Sequence, residues 1–131
     1  MAALDLTTLV VLVVEDNEFI RLMLRKYLGD FGFRKIFEAA DGTEAIKLLD
    51  KKPDIIICDI HMEPMDGFGF VKHIRALEAP ANKVPVIFLT GDAHVDQVQG
   101  AIDLAVDAYL LKPVTPENLK SRILALLTRK S

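Results

Sequence analysis

Apolar and polar residues alternate along this chain in two rhythms, one of strands and one of helices. Leu9 to Val14 is an unbroken apolar run rich in valine, which predicts a strand buried on both faces. It ends in Glu15-Asp16-Asn17. Asn17 is a good N-cap, and Ile20, Met23, Leu24, Tyr27 and Leu28 then fall at helical spacing. Gly29-Asp30 and Gly32 are expected to end that helix. Phe33 to Glu38 predicts a shorter, more polar strand at a sheet edge. Asp41-Gly42 starts a second helix with Ala45, Ile46 and Leu49 on its inner face, and Pro53 prevents its continuation.

Ile55 to Cys58 predicts a third strand, again buried on both faces, with Asp59 where it must stop. Asp66 can cap a helix from Gly67 to about Leu77, with Phe70, Val71, Ile74 and Leu77 facing inward. Phe68, one step off that stripe, is expected to pack while partly exposed. Pro85 to Leu89 is a fourth strand with proline at its first residue, where it is tolerated. It ends in Thr90-Gly91-Asp92. A weaker helix is predicted from about His94 to Leu104, striped by Val95, Val98 and Ile102 and interrupted by Gly100. Asp107 to Leu111 is a fifth strand, followed by Lys112-Pro113. Thr115 caps a last helix with Pro116 at its first position, and Leu119, Ile123, Leu126 and Leu127 pack it down. Its basic end, Arg129-Lys130, reads as a solvated tail that favours the helix dipole.

Five strands alternating with five helices mean a parallel sheet with helices on both faces, a doubly wound α/β fold. In such sheets ligands bind beyond the C-terminal strand ends. The length of 131 residues suits one domain, residues 1–131 with a core at about 9–128. The chain is 51% hydrophobic and 27% charged, which describes a packed domain rather than a disordered one. A net charge of −3 gives no electrostatic reason to expect direct binding of nucleic acid or an anionic membrane. The single cysteine, Cys58, has no internal partner and reads as a small buried hydrophobe. The longest apolar run is far too short to span a bilayer, and the N-terminus lacks the pattern of a signal peptide. A cytoplasmic location is the expectation.

The strand-end rule then collects the chemistry. Strand one ends in Glu15-Asp16, strand three in Asp59, strand four in Thr90 and strand five in Lys112-Pro113. Three carboxylates within about 5 Å repel by roughly 3 kcal/mol per pair at an effective dielectric near 20. Lys112 alone cannot neutralise them. A hard divalent cation fits an all-oxygen set, and Mg2+ with retained waters is the natural choice. An aspartate beside Mg2+ and a lysine can attack phosphorus, and the cation and lysine would stabilise charge on the transferring oxygens.

Glu15-Asp16, Asp59, Thr90-Gly91, Tyr109 and Lys112-Pro113, each at its strand end, resemble the defining positions of two-component response-regulator receiver domains, here in a single-domain, chemotaxis-regulator-like form. The resemblance runs from roughly Val10 to Leu127. It implies strand order 2-1-3-4-5 and a flavodoxin-like fold. It implies that Asp59 is the phosphoacceptor. Asp16, Asp59 and the backbone carbonyl of His61 would be Mg2+ ligands, and Glu15 would hold a metal-bound water. Lys112 and Thr90 would contact the phosphoryl group, Thr90 and Tyr109 would form a switch pair, and the bond to Pro113 would be cis. His61 and Asp92 stand where the family tunes dephosphorylation. The implied phosphodonor is a histidine kinase or histidine phosphotransfer protein. The implied output is an unidentified downstream protein met by the face of the fourth helix, fifth strand and fifth helix.

Three places set the chain apart from the common pattern, one of them Asp92, two residues after Thr90. The usual proline four residues after the aspartate is replaced by Glu63, with proline following at Pro64, and Ala105 stands where glycine is common. Other readings stay beside this one. Glu15-Asp16, Thr90 and Tyr109 taken singly read as strand ends, turns and packing. Cys58, His61 and His94 lack the ligand spacing of a soft-metal site, and His73 and His94 read as surface helix residues. A phosphate-ester hydrolase with an aspartyl intermediate would need an acid where His61 stands. A flavodoxin-like or dinucleotide-binding carrier would need a glycine-rich loop that strand one lacks. A phosphate sink or scaffold needs the same residues as a switch. The start at Met1 and the short tail after Leu127 favour a natural free-standing receiver that is not an enzyme.

Overall fold

The computed structural model describes residues 4–91 and 106–129. The predicted helix from His94 to Leu104, Asp92 and Ala105 lie outside the described residues. The rest follows the expected alternation. Strand β1 (Val10–Val14) leads to helix α1 (Glu18–Phe31), β2 (Lys35–Ala39) to α2 (Gly42–Lys47), and β3 (Ile55–Asp59) to α3 (Gly67–Arg75). Strands β4 (Val86–Thr90) and β5 (Ala108–Leu111) complete the sheet, and α4 (Pro116–Arg129) is the last helix. All neighbouring strands pair in parallel, in the order β2-β1-β3-β4-β5. This is the doubly wound, flavodoxin-like order, and it puts every strand's C-terminal end on one rim.

Side-chain alternation divides the core in two. Val11, Val13, Ile55, Ile57, Ile87 and Leu89 face α1 and α4, where Leu24, Leu28, Leu119 and Ile123 meet them. Leu12, Val14, Ile56, Cys58, Val86 and Phe88 face α2 and α3, where Ala45, Phe70, Val71 and Ile74 meet them. Every residue of β3 and β4 is buried, whereas β5 is half-buried and ends exposed. Phe68 packs as expected, with its ring edge-on to Phe88 at 5.4 Å.

The helix starts are set by the residues read as caps. Asn17 accepts from the Ile20 N–H at 2.9 Å, Asp41 from Glu44 at 2.9 Å, Asp66 from Gly69 at 2.8 Å and Thr115 from Asn118 at 3.2 Å. Helix ends differ more from expectation. Gly29 and Asp30 lie inside α1, which runs to Phe31. Gly32, at φ 120°, provides the left-handed stop: its N–H donates to Gly29 O at 3.1 Å, and Phe33 N–H to Leu28 O at 3.1 Å. Phe33 therefore belongs to this capping turn, packed in the core, and β2 begins only at Lys35. α2 stops at Lys47, and a 3-10 turn over Leu48–Lys51 ends at Lys52 in the left-handed region (φ 53°), where the following Pro53 disfavours further helix. Arg129 is not simply solvated, because its Nη2 donates to Asp107 Oδ1 at 3.1 Å.

Candidate functional site

The β1–α1 turn carries Glu15 and Asp16 to the rim on which β3 ends at Asp59. Three backbone and side-chain contacts shape the turn. The Glu15 N–H donates to Ala39 O at 3.0 Å, the Asn17 N–H to Glu15 Oε2 at 3.2 Å, and Arg21 Nη1 to Glu15 O at 2.7 Å. One carboxylate oxygen each from Glu15, Asp16 and Asp59 lies within 4.8 Å of the others. Glu15 is fully buried (0% exposed) and Asp59 nearly so, while Asp16 is exposed. Lys112, just past β5, bridges the buried pair: its Nζ is 2.8 Å from Glu15 Oε1 and 3.1 Å from Asp59 Oδ1. The Lys112 N–H donates to Thr90 O at 2.7 Å, which registers the lysine against the end of β4. The Lys112–Pro113 peptide bond is cis, as are Glu63–Pro64 and Ala79–Pro80.

The electrostatics match this crowding. Burial pushes the Glu15 carboxyl up to about 7; Lys112 opposes the shift and the neighbouring Asp59 adds to it. Burial pulls the Lys112 ammonium down, but Glu15 and Asp59 outweigh it, so its pKa is raised overall. Cys58, wholly buried beside these acids, is held well above the usual thiol range, first by burial and then by Asp59. Its Sγ–H lies 3.2 Å from Asp59 O, as expected of a packing residue.

The remaining sequence-derived residues lie on β4, β5 and the loop after β3. Thr90 is buried at the end of β4. Tyr109 pairs with Phe88 across β4 and β5 and packs half-buried against the Leu12 side of the core. His61 is exposed and, with Asp16, Met62, Glu63 and Asp66, lines an open depression of about 520 Å³ beside the acids. The residue pairing of Glu63-Pro64 thus places an extra carboxylate on the rim of that depression.

Two contributors carry no signal strong enough to read from sequence. Gly67 passes so close to β3 that its N–H reaches Ile60 O at 2.8 Å and no side chain fits between. Met65 packs over Gly42, whose N–H donates to Met65 O at 3.1 Å, so the start of α2 braces the loop after Asp59. The Asp66-Gly67 pair marks a helix start but not this approach.

The donor set tests well against a hard divalent cation. It offers three carboxylate oxygens from two strand ends, and among the described residues the ammonium that balances them is that of Lys112. The Glu15 carboxyl is raised first by its burial, with the neighbouring Asp59 charge adding to the shift. Glu15, Asp16 and Asp59 fit Mg2+. Among the described residues, no helix is long and apolar enough to cross a membrane.

A family model for the response regulator receiver domain matches residues 11–124. A probable transcriptional regulator, ycf27, of Guillardia theta is 38% identical over 121 residues, covering 91% of this chain and 45% of its own length. The chain spans about half the length of such regulators. The chemotaxis protein CheY-3 of Vibrio cholerae is 33% identical over 114 residues, which cover 86% of this chain and 87% of its own. The structure of Vibrio cholerae CheY4 superposes with a TM-score of 0.83 at 34% identity, covering 91% of this chain and 98% of that one. An N-terminal domain from Wolinella succinogenes superposes with a TM-score of 0.85 at 30% identity, covering 94% and 97%.

Proposed function

Because the chain belongs to the response regulator receiver domain family of two-component signalling, we propose that it is a phosphorylation-controlled switch whose phosphoacceptor is Asp59. The observation that carries this reading is the Lys112 ammonium, placed 2.8 Å from Glu15 and 3.1 Å from Asp59 at the rim where Asp16 also lies. Asp59 is the member of the acid cluster at the end of the central strand β3, nearly buried and within 4.8 Å of a carboxylate oxygen of Asp16, which lines the open depression with His61.

A carboxylate oxygen of Asp59 attacks the phosphorus of a phosphohistidine on a histidine kinase or phosphotransfer protein. The P–O bond forms as the P–N bond breaks, and the electron pair leaves with the imidazole. Lys112 holds one Asp59 oxygen before the reaction and pairs with the phosphoryl oxygens after it. Mg2+, held by Asp16, Asp59 and the His61 carbonyl with Glu15 on a bound water, would supply positive charge to the same oxygens. The Thr90 hydroxyl accepts the role of sensor, and the Tyr109 ring responds behind it, so that β5 and α4 present an altered face to a downstream protein. His61 and Asp92 tune the lifetime of the acyl phosphate. The switch works in the cytoplasm, in the manner of a signalling protein rather than a turnover enzyme.

Phosphorylation by acetyl phosphate with Mg2+, read by intact-protein mass, tests the assignment. One added phosphoryl group per chain, lost in Asp59→Asn, is the expected result. Equal incorporation by Asp59→Asn would remove Asp59 from the role.

A further inference from the structure

The turn that carries Glu15 and Asp16 is anchored from outside the acid cluster. Arg21 lies one turn into α1. Its Nη1 donates to the Glu15 carbonyl oxygen at 2.7 Å, and its Nε stands 3.5 Å from Glu38 Oε1 on β2. The side chain is 21% exposed and that of Glu38 27%, so this bridge is partly shielded from water. Its backbone N–H also donates to Asn17 O at 2.9 Å, which closes the other end of the same turn. Arg25, one helical turn on, pairs with the same Glu38 carboxylate but makes no hydrogen bond to the turn.

We infer that Arg21 is a positioning residue for the cation site: its guanidinium spans the Glu15 carbonyl and the Glu38 carboxylate and fixes the turn from which Glu15 and Asp16 reach Asp59. The inference rests on reading the acid cluster as a Mg2+ site. A charge-assisted bond to a backbone carbonyl is stronger and better directed than a neutral one. Here it ties the ligand-bearing turn to the edge strand, on a scaffold of α1 and β2 that does not itself touch the cation. The acids are then held in place before the cation arrives, and outer groups of this kind set metal affinity through the ligands they orient.

Two effects of Arg21 on cation binding have opposite signs, and this makes the inference decidable. Its positive charge beside an acidic site repels a cation, so removing the charge alone would tighten binding. Loss of the anchor would loosen the turn and weaken binding. Arg25 supplies the control, since it shares Glu38 and the charge but not the anchor.

The test is a calorimetric Mg2+ titration of the native chain, Arg21→Gln, Arg21→Lys and Arg25→Gln at fixed ionic strength, with urea unfolding of each. We expect Arg21→Gln to raise the Mg2+ dissociation constant about tenfold, the low end for outer partners of metal ligands. Arg21→Lys, which keeps the charge and loses the two-acceptor fork, also weakens binding. Arg25→Gln leaves affinity unchanged or slightly tighter. In the metal-free chain, exchange of the Asn17 amide hydrogen accelerates in Arg21→Gln and not in Arg25→Gln. If the native chain binds Mg2+ and both Arg21 variants bind as tightly, the positioning role is overturned and the site stands. If the native chain does not bind, the cation reading falls and takes this inference with it.

Discussion

Replacing Gly67 with alanine should destabilise the protein, although helix propensity alone predicts the reverse. Alanine is the better helix former by up to about 1 kcal/mol in an interior position. Gly67 is the first residue of α3, and a Cβ there would lie 2.5 Å from Asp59 O, 3.0 Å from Ile60 Cα and 3.2 Å from Phe88 Cε1. The two closest atoms are backbone at the end of the central strand and just past it, and cannot rotate aside. Relieving the contact needs a displacement of about 1 Å of either α3 or the strand end, which costs about 1–3 kcal/mol for an overpacked site. The Gly67 N–H bond to Ile60 O, 2.8 Å long, would stretch with it and forfeit up to about 1 kcal/mol more. A net loss of about 2–3 kcal/mol corresponds to a Tm lower by roughly 10 °C for a domain of this size. Gly69→Ala is the control, because its Cβ would meet the flexible Met65 side chain at 3.2 Å rather than a β-strand. Thermal and urea unfolding followed by circular dichroism would measure both. A Gly67→Ala protein as stable as the native chain would refute the reasoning, and with it the claim that α3 is seated directly on the strand end bearing Asp59.

The other predictions concern charge and packing. With Mg2+ removed by chelator, the Glu15 carboxyl is raised from 4.5 to about 7, so the native state holds its proton more tightly than the unfolded chain. Its contribution to stability is therefore lost as pH rises from about 4.5 through 7, by on the order of 3 kcal/mol; Glu15→Gln should flatten the pH dependence of urea unfolding, and parallel curves for the two proteins would exclude the effect. Gly29→Ala should stabilise by about 1 kcal/mol, since Gly29 lies inside α1 with nothing within 4 Å of an added Cβ; an unchanged urea midpoint would count against it. Asp107 accepts the Val86 N–H at 2.9 Å and meets Arg129 at 3.1 Å and Arg75 at 3.7 Å, so Asp107→Ala should cost about 1–3 kcal/mol, checked by the same unfolding.

The parts of this protein legible from sequence are those governed by local rules. The runs at Val10–Val14, Ile55–Cys58 and Val86–Leu89 are apolar throughout because both sheet faces are covered, and that pattern needs no tertiary knowledge to read. Asn17, Asp41, Asp66 and Thr115 announced helix starts because a cap acts on its own first turn. The acid cluster could be assembled because a parallel sheet gathers every strand end on one rim. What failed to show depends on contacts between distant segments. Phe33 looks like a strand residue until Gly32 turns the chain and buries its ring at the end of α1. Arg21 and Arg25 look alike as basic residues one turn apart, and both meet Glu38 of β2, but only Arg21 reaches back to the Glu15 carbonyl in the turn before α1. Arg129 reads as a solvated tail until the chain entering β5 brings Asp107 beside it.

The gradient of burial across the sheet has a consequence for how motion is distributed. β3 and β4 are sealed on every residue, while β5 is half-covered and ends in an exposed Leu111. Amides of the sealed strands can meet water only when the whole domain opens, whereas those of β5 can do so through a local fluctuation. The lysine that bridges the two buried acids follows an edge strand that opens more cheaply than β3 or β4. Lys112 thus ties a strand that opens locally to two carboxylates sealed in the interior.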